Sequence, residues 1–279
     1  MAYDSGGPYA DSVAVADLNG DGRLDLIVAN YCQSAVQGSC NTLGEVAVLI
    51  SNGNGTFQPA VTYSTGAYYA YSVAVGDLNG DGVPDIVVSN LCESVNPGFV
   101  CDTGSPGEVS VLLGKGDGTF QPAVTYGSGG FYATSVTVGD LNGDGKPDLV
   151  VANGGYDSGS VSTLLGNGDG TFQPAVSYSS GAYGADSVVM RNLMGDGRPD
   201  LVVANLCQGP SCSPGGGYDG ELGVLVGNGD GTFQPVVLYN SGGKYAYSVA
   251  VGDLRSNGIM DLAVANKFSD DEGSSDYTQ

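Results

Sequence analysis

Short apolar runs separated by polar, glycine-rich joints recur along the whole chain. In one stretch Tyr71-Ser72-Val73-Ala74-Val75-Gly76 reads as a strand of small residues. A polar joint follows, then Ile86-Val87-Val88, a continuous apolar run that fits a strand buried on both faces. Glu108-Val109-Ser110-Val111-Leu112-Leu113 alternates again. Gly114-Lys115-Gly116-Asp117-Gly118 puts glycines where a hairpin turn needs positive φ. Phe120-Gln121-Pro122-Ala123-Val124-Thr125-Tyr126 closes the stretch as an edge strand, where a proline is tolerated. No segment keeps a helical apolar period for more than a turn. The pattern predicts four short strands per unit and an all-β fold.

The unit is written five times. Each copy is an apolar run, then Asp-x-Asn-Gly-Asp-Gly-x-x-Asp, then another apolar run. Clean copies of the polar loop occupy residues 17–25, 77–85 and 140–148, and worn copies 192–200 and 253–261. Their first residues are 60, 63, 52 and 61 positions apart, a spacing that marks a repeat architecture. A four-stranded antiparallel sheet repeated radially is a propeller blade. A linear stack would need capping units that the sequence lacks. The expectation is one repeat domain, a β-propeller of four-stranded antiparallel blades with about five repeats, four full and one partial. Approximate units are 4–63, 64–126, 127–178, 179–239 and 240–279. The fifth is partial because an acidic stretch, 267–279, follows the run 261–266, while residues 1–4 are a stub of a preceding unit. An open half-unit invites pairing with its own first blade or with another copy.

The loops carry the candidate chemistry. Oxygen side chains at positions 1, 3, 5 and 9, a carbonyl at 7 and glycine at 6 suit a hard cation such as Ca2+. The first loop offers Asp17, Asn19, Asp21, the Arg23 carbonyl and Asp25. The second offers Asp77, Asn79, Asp81, the Val83 carbonyl and Asp85, and the third Asp140, Asn142, Asp144, the Lys146 carbonyl and Asp148. It is not an EF-hand, having no glutamate at position 12 and β-type runs on both sides. A turn formula alone would not need Asp at both ends three times over. In the fourth loop Asn192 and Met194 replace ligands beside Asp196 and Asp200, and a thioether is a poor partner for a hard ion, so this loop is expected to be empty or weak. The fifth keeps Asp253, Asn257 and Asp261 but puts Arg255 at position 3, where a guanidinium could stand in for the ion. Three strong Ca2+ sites are expected, and up to five.

Charge narrows the partners. Thirty acidic and eight basic residues give a net −22, which disfavours nucleic acid and anionic lipid. No apolar stretch approaches a membrane span, and no signal peptide is visible. Six cysteines fall as Cys32/Cys40, Cys92/Cys101 and Cys207/Cys212, each pair inside the loop that follows the second strand. The third unit has the shorter, cysteine-free Gly154-Gly155-Tyr156-Asp157 there. Cysteines gained and lost in pairs argue for three local disulfides and an oxidising, extracellular setting. With no histidine, the usual base of hydrolytic triads is missing, and the paired carboxylates are assigned to the ion, so no enzyme activity is expected. Tyr9, Tyr68, Tyr69, Tyr71, Tyr132, Tyr183, Tyr245 and Tyr247 precede or open the first strands. Packing between units is preferred for most of them over a sugar-stacking face. Phe57, Phe120, Phe172 and Phe233 are expected in the core. Asn54-Gly55-Thr56 is the sole N-x-[ST] sequon.

The run from Ser72 through Asp77-Leu78-Asn79-Gly80-Asp81-Gly82-Val83-Pro84-Asp85 to Val88 resembles an FG-GAP repeat, the calcium-bearing blade motif of integrin α-subunit propellers. The longer unit, with Leu164-Leu165-Gly166-Asn167-Gly168-Asp169-Gly170-Thr171-Phe172-Gln173-Pro174, resembles the VCBS-type version of bacterial surface and secreted proteins. The resemblance covers nearly the whole chain and implies a calcium-stabilised extracellular propeller. It speaks less to function, since such propellers serve many roles. The preferred expectation is a non-enzymatic surface module for adhesion or assembly, possibly forming filaments, whose partners are copies of itself or a surface protein or glycan. A lectin-like glycan-binding module and the propeller part of a polysaccharide lyase are the alternatives.

Overall fold

A computed structural model describes residues 3–36, 39–40, 42–93, 101, 104–155, 158–209, 212 and 218–269. Residues 1–2 of the stub, 156–157 of the short third loop and 270–279 of the acidic tail lie outside them. The described residues form antiparallel β-sheets with no α-helix. None therefore forms a helix long and apolar enough to cross a membrane.

The strands run in chain order. β1 (Ala10–Ala16), β2 (Asp25–Asn30), the short hairpin β3 (Ala35–Val36) and β4 (Ser39–Cys40), and β5 (Leu43–Leu49) come first. β6 (Val61–Gly76), β7 (Asp85–Cys92), β8 (Pro106–Leu112) and β9 (Val124–Phe131) complete a seven-stranded sheet. β10 (Ala133–Gly139), β11 (Asp148–Asn153), β12 (Ser160–Leu164) and β13 (Val176–Ser179) form a four-stranded sheet. β14 (Tyr183–Arg191), β15 (Asp200–Cys207), β16 (Asp219–Leu225), β17 (Val237–Gly252) and β18 (Asp261–Ser269) form a five-stranded one.

β10–β13 stand as a set of four strands, but the other two large sheets do not divide in that way. β6 is one strand of 16 residues. Its first part, to Tyr68, pairs with β5, and from Tyr68 onward it pairs with β7. Gly66 (φ 81°) and Tyr69 (φ 62°) kink it, so one strand closes one unit and opens the next. β17 does the same with Gly242 (φ 77°) and Tyr245 (φ 56°). The expected edge strand from Phe120 is also shorter. Phe120 makes only an isolated bridge to Gly114, and pairing resumes at Val124, past Pro122, which has no N–H to give.

The core explains the two apolar patterns. Along β7, Ile86 and Val88 face back to Ile27, Val46 and Val48 of the preceding unit, while Val87 faces forward to Val136, Leu149 and Val151. The next two interfaces repeat this: Val150 and Ala152 meet Leu201 and Val203, and Val202 and Ala204 meet Val249. A strand sandwiched between neighbours has no polar face, so the run is continuous. Edge-to-face pairs Tyr63–Phe120, Tyr126–Phe172 and Tyr178–Phe233, at 5.3–5.6 Å, tie each unit to the next. Phe120 and Phe172 are buried, as expected of core residues.

Each first strand carries a register shift, between Ala10/Ser12, Ala70/Ser72, Ala133/Ser135, Ala185/Ser187 and Ala246/Ser248. The extra residues are Asp11, Tyr71, Thr134, Asp186 and Tyr247. The three disulfides pair as expected, with Cα–Cα distances of 5.8, 5.9 and 5.5 Å.

Candidate functional site: the five aspartate loops

Each loop joins the first strand of a unit to the second. In the first four loops glycines at positions 4 and 6 have positive φ and open space around them, as at Gly80 (φ 74°) and Gly82 (φ 82°), while the fifth has Ser256 (φ 53°) at position 4. The sharp turn curls the chain so that its N–H groups point at the side chains of positions 1, 3 and 5. In the second loop Asp77 Oδ1 accepts from the N–H groups of Gly80 (2.8 Å) and Asp81 (3.1 Å), and its Oδ2 from Gly82 (2.9 Å). Asn79 Oδ1 accepts from Asp81 N–H at 3.0 Å, and Asp81 Oδ1 from Val83 N–H at 2.8 Å. Asp140, Asn142 and Asp144 repeat this set in the third loop. Asp17, Asn19 and Asp21 nearly repeat it in the first.

Position 9 is different. Asp25, Asp85, Asp148 and Asp200 are almost fully buried. Leu78 N–H donates to Asp85 Oδ2 at 2.8 Å, and Gly114 N–H, at the end of the third strand, donates to Oδ1 at 2.7 Å. Asp25 holds Leu18 and Ser51 in this way, Asp148 holds Leu141 and Gly166, and Asp200 holds Leu193 and Gly227. This carboxylate clamps the loop to the third strand. Its partners were not singled out from the sequence. The available signal was the glycine at 114, 166 and 227, where a Cβ would come within 2.4 Å or less of the carbonyl oxygen of Pro84, Pro147 or Pro199.

Burial raises the pKa of Asp85 and Asp148. The two N–H donors oppose the rise, and the neighbouring carboxylates of positions 5 and 1 add to it. The three acids of a clean loop therefore repel one another. The position-7 side chain relieves some of this: Arg23 pairs with Asp21 at 3.7 Å, and Lys146 with Asp144 at 3.9 Å. Val83 cannot, so the second loop keeps its full charge. Only the carbonyl of this position was read from the sequence.

The worn loops have their own counter-charges. Arg198 bonds Asp196 through Nε at 2.9 Å, and Met194 is exposed. In the fifth loop the Arg255 guanidinium grips Asp261 at 2.6 and 3.2 Å, the stand-in expected for an ion. Asp253 accepts from Asn257 and Gly258 N–H groups, which lower its pKa.

The all-oxygen donor set and the mutual repulsion fit a hard cation. The side chains are turned onto backbone N–H groups, however, and among the described residues no group of three or more acidic, Cys or His side chains is arranged to hold a metal ion. Positions 1 and 5 would have to rotate toward an ion.

Comparison with known proteins follows the same repeats. The FG-GAP-like repeat model matches residues 33–88, 99–151, 142–203 and 192–264, and the FG-GAP repeat model matches 9–40 and 69–112. Integrin alpha-V of Gallus gallus is 33% identical over 118 residues, which is 40% of this chain and 10% of the integrin. A rhamnogalacturonan lyase of Bacillus licheniformis superposes with a TM-score of 0.54 at 17% identity, over 95% of this chain and 50% of the lyase. A biofilm matrix protein of V. cholerae gives 0.42 at 19% identity, over 89% of this chain and 42% of that one. The chain thus spans half or less of each of these proteins. Since the first family model takes in most of the sequence and follows its loops unit by unit, the chain belongs to the FG-GAP-like repeat family.

Proposed function

We propose that the chain is an extracellular, non-enzymatic, calcium-stabilised β-propeller module of four-stranded units, acting in adhesion or assembly at a surface. The carrying observation is the set of three clean loops, each with a clamped position-9 aspartate, which in the second and third loops lies beside two acids that repel it. A bound cation would relieve that repulsion. Family membership, the integrin similarity and three disulfides support an extracellular adhesion-type role.

The outer faces of the first and last units are more exposed than the faces between units. Between units, Val73 N–H donates to Ser12 Oγ at 3.2 Å and Val188 N–H to Ser135 Oγ at 3.3 Å. Val73 and Val188 are buried there, whereas the equivalent Val13 of the first unit is 63% exposed. At the far end Leu262 is 39% exposed, against 0% for Ile86. Copies of the chain, or a surface protein or glycan, are the proposed partners. Light scattering and electron microscopy at several concentrations, with calcium or chelator, test this. Calcium-dependent association supports it. A strictly monomeric closed ring that captures a glycan on an array would favour the lectin-like reading, and release of unsaturated sugar products would favour a lyase.

A further inference from the structure

Far from the aspartate loops, at the start of β1, lies a cavity of about 340 Å³ lined by Tyr9, Asp11, Tyr31, Cys40, Tyr69 and Tyr71. Its walls are phenol rings. Tyr31 and Tyr69 stack at 4.3 Å with planes 15° apart, and the Tyr69 hydroxyl donates to the Cys40 carbonyl at 3.1 Å, anchoring that wall to the disulfide loop. Tyr9 and Tyr69 hold left-handed backbones, φ 57° and 62°. The fourth unit has Gly184 (φ 65°) at this position, the residue the geometry prefers.

The β-bulges bring acids to the same place. Tyr71 lies within electrostatic reach of Asp186, Asp11, Tyr247 and Tyr31, and burial with these neighbours pushes its pKa up to about 12. Burial also raises Asp11, and pushes Asp186 up to about 7, with no hydrogen bond or cation opposing it in either case. Four of the eight basic side chains are committed to ion pairs in the aspartate loops.

We propose that this cavity binds an organic ammonium ion, with the tyrosine rings as walls and Asp11 as the counter-charge. Electron-rich ring faces attract a weakly hydrated cation. A calcium ion is the wrong occupant, because it needs six to eight oxygens and the walls are rings. A neutral sugar would stack as well, but it would bury the Asp11 carboxylate further without neutralising it. The site stands whether or not the aspartate loops hold ions.

The test is calorimetric titration of the full chain, in calcium, with choline, its neutral carbon analogue and a methyl glycoside. Choline should bind, and the neutral analogue should be at least about tenfold weaker. Asp11→Asn should weaken choline by about tenfold while melting no lower than the parent, since no hydrogen bond to the carboxylate is lost. Tyr71→Ala should abolish binding. The proposal is overturned by equal affinity for the neutral analogue, by saturation with the glycoside alone, or by choline binding that Asp11→Asn leaves unchanged. Absence of choline binding up to about 10 mM would overturn it too.

Discussion

Replacing Asp85 with asparagine separates the two jobs of an aspartate loop. The buried carboxylate accepts from Leu78 and Gly114 at 2.8 and 2.7 Å, one bond per oxygen. Asparagine keeps one acceptor and turns an NH2 group onto the other N–H. A hydrogen bond to a charged acceptor is worth about 1.5–3 kcal/mol, and an unmet buried donor costs about 1–3 kcal/mol. Part of this is offset, because burial already holds the Asp85 pKa above its ordinary value, so charge burial is relieved. The expected loss is about 2–3 kcal/mol, a fall in Tm of about 3–5 °C for a chain of this size. Asp81→Asn is the contrast: Asp81 is exposed, and accepts from Val83 N–H through Oδ1 and from exposed Asn79 Nδ2 through Oδ2. In chelator it should cost under about 1 kcal/mol. In calcium it should remove its site's share of the ion's stabilisation, about 2.7 kcal/mol at a hundredfold excess over Kd. Urea unfolding followed by circular dichroism, in chelator and in calcium, gives all four numbers. An Asp85→Asn protein as stable as the parent in chelator would refute the clamp. An Asp81→Asn protein equally destabilised in both buffers would refute the ligand role.

The second loop, lacking a basic residue at position 7, should bind calcium most tightly of the three. Val83→Lys should weaken it and Lys146→Val should tighten the third, and unchanged affinities by titration would count against the counter-charge argument. Stability in chelator should fall as pH rises from about 4 to about 7. Burial pushes Glu108 and Asp186 up to about 7, so across that window the folded chain holds protons the unfolded chain has released. Glu108→Gln should flatten the slope by about 1–2 kcal/mol after allowance for solvent screening, and a melt profile that rises through the window would contradict the assignment. Loss of any one disulfide should cost about 2–3 kcal/mol, because the closed loops are short, and unreduced peptide mapping should find only the three local pairs.

Most of the fold is legible because each apolar pattern has one physical cause. The continuous run at residues 86–88 announces a strand packed on both sides, and it is so packed. What pattern could not give is the joint between units. Whether residues 61–76 form two strands or one kinked strand depends on left-handed turns at Gly66 and Tyr69, and tyrosine gives no warning of one. The loops were legible as oxygen-rich turns. The clamp by Asp85 was not, because its partner Gly114 is 29 residues away and donates only backbone. The tyrosines divide: Tyr68 and Tyr69 pack as expected, while Tyr9 remains 55% exposed at the mouth of the cavity.

The kinked strands also govern how the molecule carries a load. Because β6 and β17 each run from one ladder into the next, a pull along the chain meets no linker between the first and second units or between the fourth and fifth. At these two joints the ladders on either side share one strand, so loss of one unit's ladder strips a strand from its neighbour's. The disulfide loops lie off this route, as side branches that can vary in length, as they do between units, without altering the spine. A surface tether built this way would yield in large, abrupt steps, each releasing neighbouring units together.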